Sequence, residues 1–258
     1  MRSHSPRAPV RHFWERRSLQ LPAFRGKIGE VKERGPAEPA ARLPSGRHDI
    51  PQDVVIRSQR TRILNAMAEV TAENGYVATT VGQVVARAGV SSATFYKLFH
   101  DKEDCFLAAV REIIARATTV VGEAYSPQRR RPDPLRDVIR SLLVLFAKEP
   151  AYANLLFLQC RASTPRALDL YLSGARAMLS ILGSGWADAV TEVSPGLAAR
   201  AALGGAEALV RAEIAEGRAE TLPDLLPQLL YCALVPFRGI DEALERSLEA
   251  DAETMAGG

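Results

Sequence analysis

Six hydroxyl- or ammonium-bearing side chains crowd one short stretch of this sequence, "SSATFYKLFHDKED" (residues 91–104): Ser91, Ser92, Thr94, Tyr96, Lys97 and Lys102. Hydroxyl and ammonium groups of this kind can hydrogen-bond to an anion and pair with its charge. With successive residues 100° apart, Phe95, Leu98 and Phe99 share one face of a helix and point to a core. Ala93, Lys97 and, at the helix end, His100 lie opposite, with Ser92 and Tyr96 on one flank and Thr94 on the other. An outward face that is small, hydroxylated and cationic suits a DNA major groove.

A helix of about residues 92–99 falls below the roughly 12–15 residues at which isolated helices become marginal, so neighbours must hold it. Gly89 takes the left-handed conformation that ends a preceding helix. Val90 plugs the angle and Ser91 caps the next helix, which makes a helix-turn-helix. The helix before the turn carries Val81, Val84, Val85 and Ala88 on one stripe. An earlier one, from about Arg57, carries Ile63, Leu64, Met67, Val70 and Thr71 and stops at Gly75. After the turn, a helix from about Lys102 to Tyr125 buries Phe106, Val110, Ile113, Ala117 and Val120, and at about 1.5 Å per residue spans about 35 Å. Asp101 caps it, and Glu103 and Asp104 suit its first turn. Lys102 opposes the helix dipole there. Either a DNA phosphate resolves that cost, or the lysine is solvated and paired with a neighbouring acid.

The wider composition narrows the function. The net charge of +3 conceals a split: residues 1–100 hold 16 Lys and Arg against 8 Asp and Glu, and the remainder 17 against 22. A polyanion-binding front and a basic tail that binds nothing in particular both fit that split. His4, His12, His48 and His100 are the only histidines, so the body offers none for a triad or metal site. It also lacks a phosphate loop of the G-x-x-x-x-G-K type. No catalytic residue, metal or cofactor is expected. Carboxylate-only chemistry, and a helical interaction protein with a decayed DNA-reading unit, are the rival readings. Cys105, Cys160 and Cys232 are far apart and read as buried, reduced thiols. The apolar runs "LLVLFA" and "LLFL" are too short for a bilayer. With no secretory signal in the sequence, a cytoplasmic location is expected.

Residues 1–50, with six prolines and scattered arginines, read as a basic disordered extension: an arm that tracks DNA, or the product of a start codon placed too far upstream. "SPQRRRPDP" (126–134) is a linker. Beyond it a capping side chain followed by proline announces helices at Asp133-Pro134, Thr164-Pro165 and Ser194-Pro195. The last apolar segment, "PDLLPQLLYCALVPFRGIDEALERSL", is expected to kink at Pro236. No stretch alternates with period two, so the fold class is all-α.

"TTVGQVVARAGVSSATFYKLFHDKED" resembles the DNA-binding core of the TetR family of bacterial transcriptional regulators, and with "RTRILNAMAEVTAENGY" the resemblance covers about residues 57–110. The resemblance implies an amino-terminal three-helix DNA-binding domain (57–117) and a larger helical effector-binding and dimerisation domain (118–250). It implies that Thr80, Thr94, Tyr96 and Lys102 contact phosphates, while Ser92, Ala93 and Lys97 face base edges and Ser91 sits at the start of the reading helix. Lys97 suits guanine O6 and N7, and Ala93 a thymine methyl. Gly82, Val85 and Leu98 depart from the family pattern, which bears on operator sequence. The family also implies a ligand-responsive repressor, bound as a homodimer to a near-palindromic double-stranded operator. Its interface would be built from Leu197, Ala201, Gly204, Gly205, Ala208 and Ala212, and from Leu225, Leu226, Leu229, Leu230, Leu234 and Phe237. Phe146, Tyr152, Phe157, Tyr171, Met178 and Trp186 would line a pocket for an unknown apolar or amphipathic effector. A shift of the 102–125 helix would then change the separation of the two reading helices. No membrane partner is expected.

Overall fold

The computed structural model describes residues 51–124, 133–184 and 194–256, and every regular element among them is helical. The extension 1–50, residues 125–132 of the linker region, and Trp186 lie outside the described residues. The amino-terminal elements are α1 (Gln52–Ala78), α2 (Val81–Ala88), α3 (Ser92–Leu98) and α4 (Lys102–Ala124). Helix α1 starts five residues ahead of the expected Arg57, and Gly75 interrupts it at φ 76°, ψ 156°, with one further turn to Ala78. A side chain at that φ would be strained, which accounts for glycine there.

The body contains α5 (Pro134–Lys148), α6 (Pro150–Asn154), a π-helical turn Leu155–Gln159 that runs on into α7 (Cys160–Ala162), α8 (Pro165–Ser184) and α9 (Pro195–Ala215). A 3₁₀ turn, Ala219–Leu225, leads to α10 (Leu226–Arg238) and α11 (Ile240–Ala256). The three cap-and-proline starts form as the sequence implies. The side chains of Asp133, Thr164 and Ser194 accept from the backbone N–H of Arg136 (3.1 Å), Ala167 (3.3 Å) and Leu197 (3.4 Å).

One apolar core runs through both parts. Ile63, Met67, Phe95 and Phe106 are fully buried in the amino-terminal helices, as are Leu155, Leu226 and Leu230 in the body, and all belong to one cluster. The division at residue 117 falls inside α4, which packs on α1 as well as on α5 and α8.

Two expectations about the last helices are corrected. The break falls at Gly239 (φ 82°, ψ 172°), not at Pro236, which lies inside α10. Near the end of α10 the missing proline N–H removes a single ladder bond, whereas the positive φ at Gly239 turns the chain. Second, α11 folds back against α10, and Leu226, Leu229, Leu230, Leu234 and Phe237 are buried and Leu225 half-buried within this one chain. They form its own core rather than an open interface. By contrast, Leu197, Ala201, Gly204, Gly205, Ala208 and Ala212 on α9 are all exposed.

Candidate nucleic-acid interface and effector cavity

Thr80 opens α2 with a reciprocal cap: its hydroxyl accepts from the Gln83 N–H (3.3 Å), and its own N–H donates to Gln83 Oε1 (2.8 Å). Gly89 closes α2 in the left-handed region (φ 63°, ψ 41°). Ser91 then caps α3, its Oγ accepting from the Thr94 N–H at 3.1 Å and lying 2.9 Å from the Thr94 hydroxyl. Phe95 is fully buried and edge-on to Tyr96, with ring centroids 5.3 Å apart, and Phe99 is buried beside it. Burying a Phe of this kind stabilises by roughly 1.5–3 kcal/mol, enough to hold two turns of helix that could not stand alone.

Two arginines fasten the motif. Arg62 Nη1 on α1 donates to the carbonyls of Ala88 (3.1 Å) and Gly89 (3.4 Å) at the turn. Arg87 on α2 pairs with Glu69 (3.1 Å) and Glu73 (2.7 Å) on α1, which holds the Glu73 carboxyl below its ordinary range.

Of the residues singled out from sequence, Thr80, Ser91, Ser92, Ala93, Tyr96 and Lys97 are exposed, Tyr96 by 60%, and Thr94 is half-buried. Lys97 makes no ion pair among the described residues. Arg60 on α1, not singled out from sequence, adds a second exposed cation beside this helix, its guanidinium 5.6 Å from the centre of the Phe99 ring. The Arg57–Arg60 spacing on one helix face was the available signal.

Lys102 differs. Its Nζ donates to the carbonyls of Tyr76 (3.0 Å), Val77 (3.4 Å) and Thr79 (2.9 Å), and sits 4.4 Å from the centre of the Tyr76 ring. A cation at the start of α4 is unfavourable to that helix, but the same cation lies at the carboxyl end of α1, where it is favourable. The cost of a cation at the start of α4 is thus offset within the chain by these carbonyls. The rest of the α4 start behaves as its sequence implies. Asp101 Oδ1 accepts from the Asp104 N–H (2.8 Å), and Asp104 Oδ2 accepts from the His100 N–H (3.0 Å). That first bond and the His100 ring together lower the Asp101 carboxyl.

Three further contacts join these helices to the body. The Tyr152 hydroxyl donates to Asn65 Oδ1 (2.9 Å), the Tyr76 N–H donates to Gln159 Oε1 (3.2 Å), and the Thr164 hydroxyl donates to Glu103 (2.9 Å). Neither Tyr76 nor Gln159 stands out in the sequence.

The body holds a partly open cavity of about 190 Å³ bounded by α4, α5, the π-helical turn, α8, α9 and α10. Phe146, Phe157, Tyr171 and Met178 line it, as expected. Tyr152 does not: it is buried against Asn65, with the Arg116 guanidinium 5.0 Å from its ring centre, so it belongs to the junction with α1. Ile114, Ala117 and Thr118 of α4 and Leu156 of the π-helical turn also reach the cavity. Cys105 and Cys160 are buried free thiols and Cys232 is half-buried, so the expectation of three buried thiols holds for two. No single helix among the described residues is long and apolar enough to cross a membrane, and none of their His, Cys, Asp and Glu side chains cluster as metal ligands.

Residues 63–109 match the family described as "Bacterial regulatory proteins, tetR family". This span contains α2, α3 and the turn between them. Over 107 residues the chain is 29% identical to the fatty acid metabolism regulator protein of Bacillus subtilis (strain 168). That stretch is 42% of this chain and 55% of the relative, so the chain spans little more than half of the curated protein it matches. The fold is shared with the fatty acid degradation regulator FadR of Bacillus halodurans, at TM-score 0.58 and 20% identity, over 69% of this chain and 98% of the other. FadR of Bacillus subtilis in complex with stearoyl-CoA gives TM-score 0.58 and 21% identity, over 70% and 98%. SmeT, the repressor of the Stenotrophomonas maltophilia multidrug efflux pump SmeDEF, gives TM-score 0.52 and 20% identity, over 74% and 89%.

Proposed function

We propose that this chain, whose amino-terminal helices are of the TetR type, is a transcriptional regulator that binds an operator as a homodimer and releases it when a small molecule fills the body cavity. The observation that carries the reading is α3: a short helix anchored by Phe95 and Phe99 that turns Ser92, Ala93, Tyr96 and Lys97 to solvent. Ser92, Ala93 and Lys97 suit base edges, while Thr80, Thr94 and Tyr96 offer hydroxyls to backbone phosphates. The regulators named among the relatives support the same class, and the stearoyl-CoA bound to one of them suggests a small molecule with an apolar part here. A cytoplasmic location follows from the proposal.

The exposed stripe on α9 supports a dimer surface. Gly204, Gly205, Ala201, Ala208 and Ala212 permit close backbone approach, and Leu197, 57% exposed, adds apolar area. Ile240, Leu244 and Leu248 give α11 a second open apolar row at a four-residue spacing. To enter successive major grooves, a two-fold pair needs its α3 helices about 34–36 Å apart, one DNA turn.

Two routes connect cavity and DNA-binding helices. Helix α4 lines the cavity through Ile114 and Ala117 and, at its other end, grips α1 through Lys102. The π-helical turn lines it through Leu156 and Phe157 and touches the Tyr76 N–H through Gln159. A ligand releases DNA only to the extent that it binds the wrongly spaced state more tightly. Selection of bound fragments from a random duplex pool tests the function: an inverted repeat with half-sites about one turn apart is expected, and a pool that stays random refutes it.

A further inference from the structure

The cavity is apolar except at one place. Leu142, Phe146, Phe157, Met178, Leu203 and Val210 surround most of it, and Thr118, its nearest hydroxyl-bearing neighbour on α4, spends that hydroxyl on the Ile114 carbonyl (2.8 Å). Two polar groups remain, Tyr171 on α8 and Glu207 on α9. The Tyr171 hydroxyl is buried and has no hydrogen bond of ordinary geometry among the described residues. Burial and the neighbouring Glu207 push the phenol up to about 12, so it is neutral and keeps its lone pairs for a donor. Glu207 is half-buried and forms no ion pair among the described residues. Among the described residues no Lys, Arg or His lines the cavity. Among the described residues the nearby cation is Arg161, which is solvent-exposed, stands 5.7 Å from the centre of the Tyr171 ring and partly offsets the upward push on its phenol, without belonging to the lining.

A half-buried carboxylate in an apolar lining, beside a buried hydroxyl with no hydrogen bond of ordinary geometry, calls for a donor carrying positive charge. A carboxylate headgroup in the same place would meet Glu207 as a like charge. We infer that the cavity selects a lipophilic amine: an apolar body among Phe146, Phe157 and Met178, and a protonated nitrogen set between the Glu207 carboxylate and the Tyr171 oxygen. The inference rests on the reading of this cavity as the effector site and supplies the chemical class of the effector.

The test uses the full chain, free of DNA, and three probes of equal chain length below their aggregation concentrations: decylammonium, decanol and decanoate. Isothermal titration is expected to give decylammonium at least about tenfold tighter binding than decanoate, as a charge-assisted hydrogen bond implies. In Glu207→Gln that preference falls to within about threefold while decanol binding stays unchanged, and Tyr171→Phe weakens decylammonium and decanol alike. Decanoate binding as tightly as decylammonium, a preference that survives Glu207→Gln, or no binding of any probe overturns the inference. Duplex binding by the ligand-free protein is measured separately, so failure of the amine selectivity and failure of the regulator reading give different results.

Discussion

Replacing Lys102 with methionine separates two roles for one lysine. The geometry makes it a staple: the side chain loses good bonds to Tyr76 (3.0 Å) and Thr79 (2.9 Å), a long one to Val77 (3.4 Å), and its place over the Tyr76 ring. Hydrogen bonds to a charged group are worth about 1.5–3 kcal/mol each when buried, and the half-exposed position of Lys102 lets water replace part of them. Lys102→Met is therefore expected to cost about 2–3 kcal/mol, a fall of roughly 1 M in the urea midpoint. Duplex affinity falls by the same factor at every site, because the α1–α4 angle rather than a base contact is lost. Affinity measured from low to moderate salt supplies the decision. A staple leaves the slope of log K against log salt unchanged, whereas a lost phosphate contact reduces it by about 0.9. Unchanged stability together with a slope reduced by about one would refute the staple.

Lys97→Ala should cost about 1–3 kcal/mol of binding and relax preference at one base position, measured by competition among single-base operator variants. Gly89→Ala forces a side chain into φ 63° and should destabilise by about 1–2 kcal/mol in urea, with loss of DNA binding before loss of helicity. Gln159→Met breaks the bond to the Tyr76 N–H; ligand-free operator affinity should stay within about threefold, while ligand-induced release weakens by at least that factor, read by anisotropy. Burial raises the Cys160 thiol from 9.0 to about 12 and pushes Cys105 and Tyr152 up as well. The folded state thus keeps protons that the unfolded chain loses, so these groups leave stability unchanged from neutral pH to about pH 8 and lower it above that, by up to about 1.4 kcal/mol per pH unit per group. Urea midpoints at pH 8, 9 and 10 under reducing conditions check this: Cys160→Ala should show a shallower decline, and a flat wild-type profile contradicts it.

Local signals were legible. The Gly89 turn, the Ser91 cap, the buried Phe95–Phe99 face and the three cap-and-proline starts each depend on residues within a few positions, and all form as the sequence implies. What the sequence hid is non-local. Lys102 meets carbonyls more than twenty residues upstream, Tyr152 meets Asn65 across 87 positions, and Gln159 meets Tyr76 across 83. Likewise, a row of leucines from Leu226 to Phe237 reads the same whether a second chain or α11 covers it, and here α11 does. Four of the expected cavity residues line it because α5, the π-helical turn and α8 converge there, while Tyr152 points from the same region into the junction with α1.

The most direct measurement is the affinity of the full-length protein for its selected duplex as salt is varied. A dimeric operator-binding protein gives a linear fall of log K with log salt, two chains bound per site, and weaker binding to a scrambled duplex. Affinity that is indifferent to salt and sequence, or no complex at low ionic strength, contradicts it.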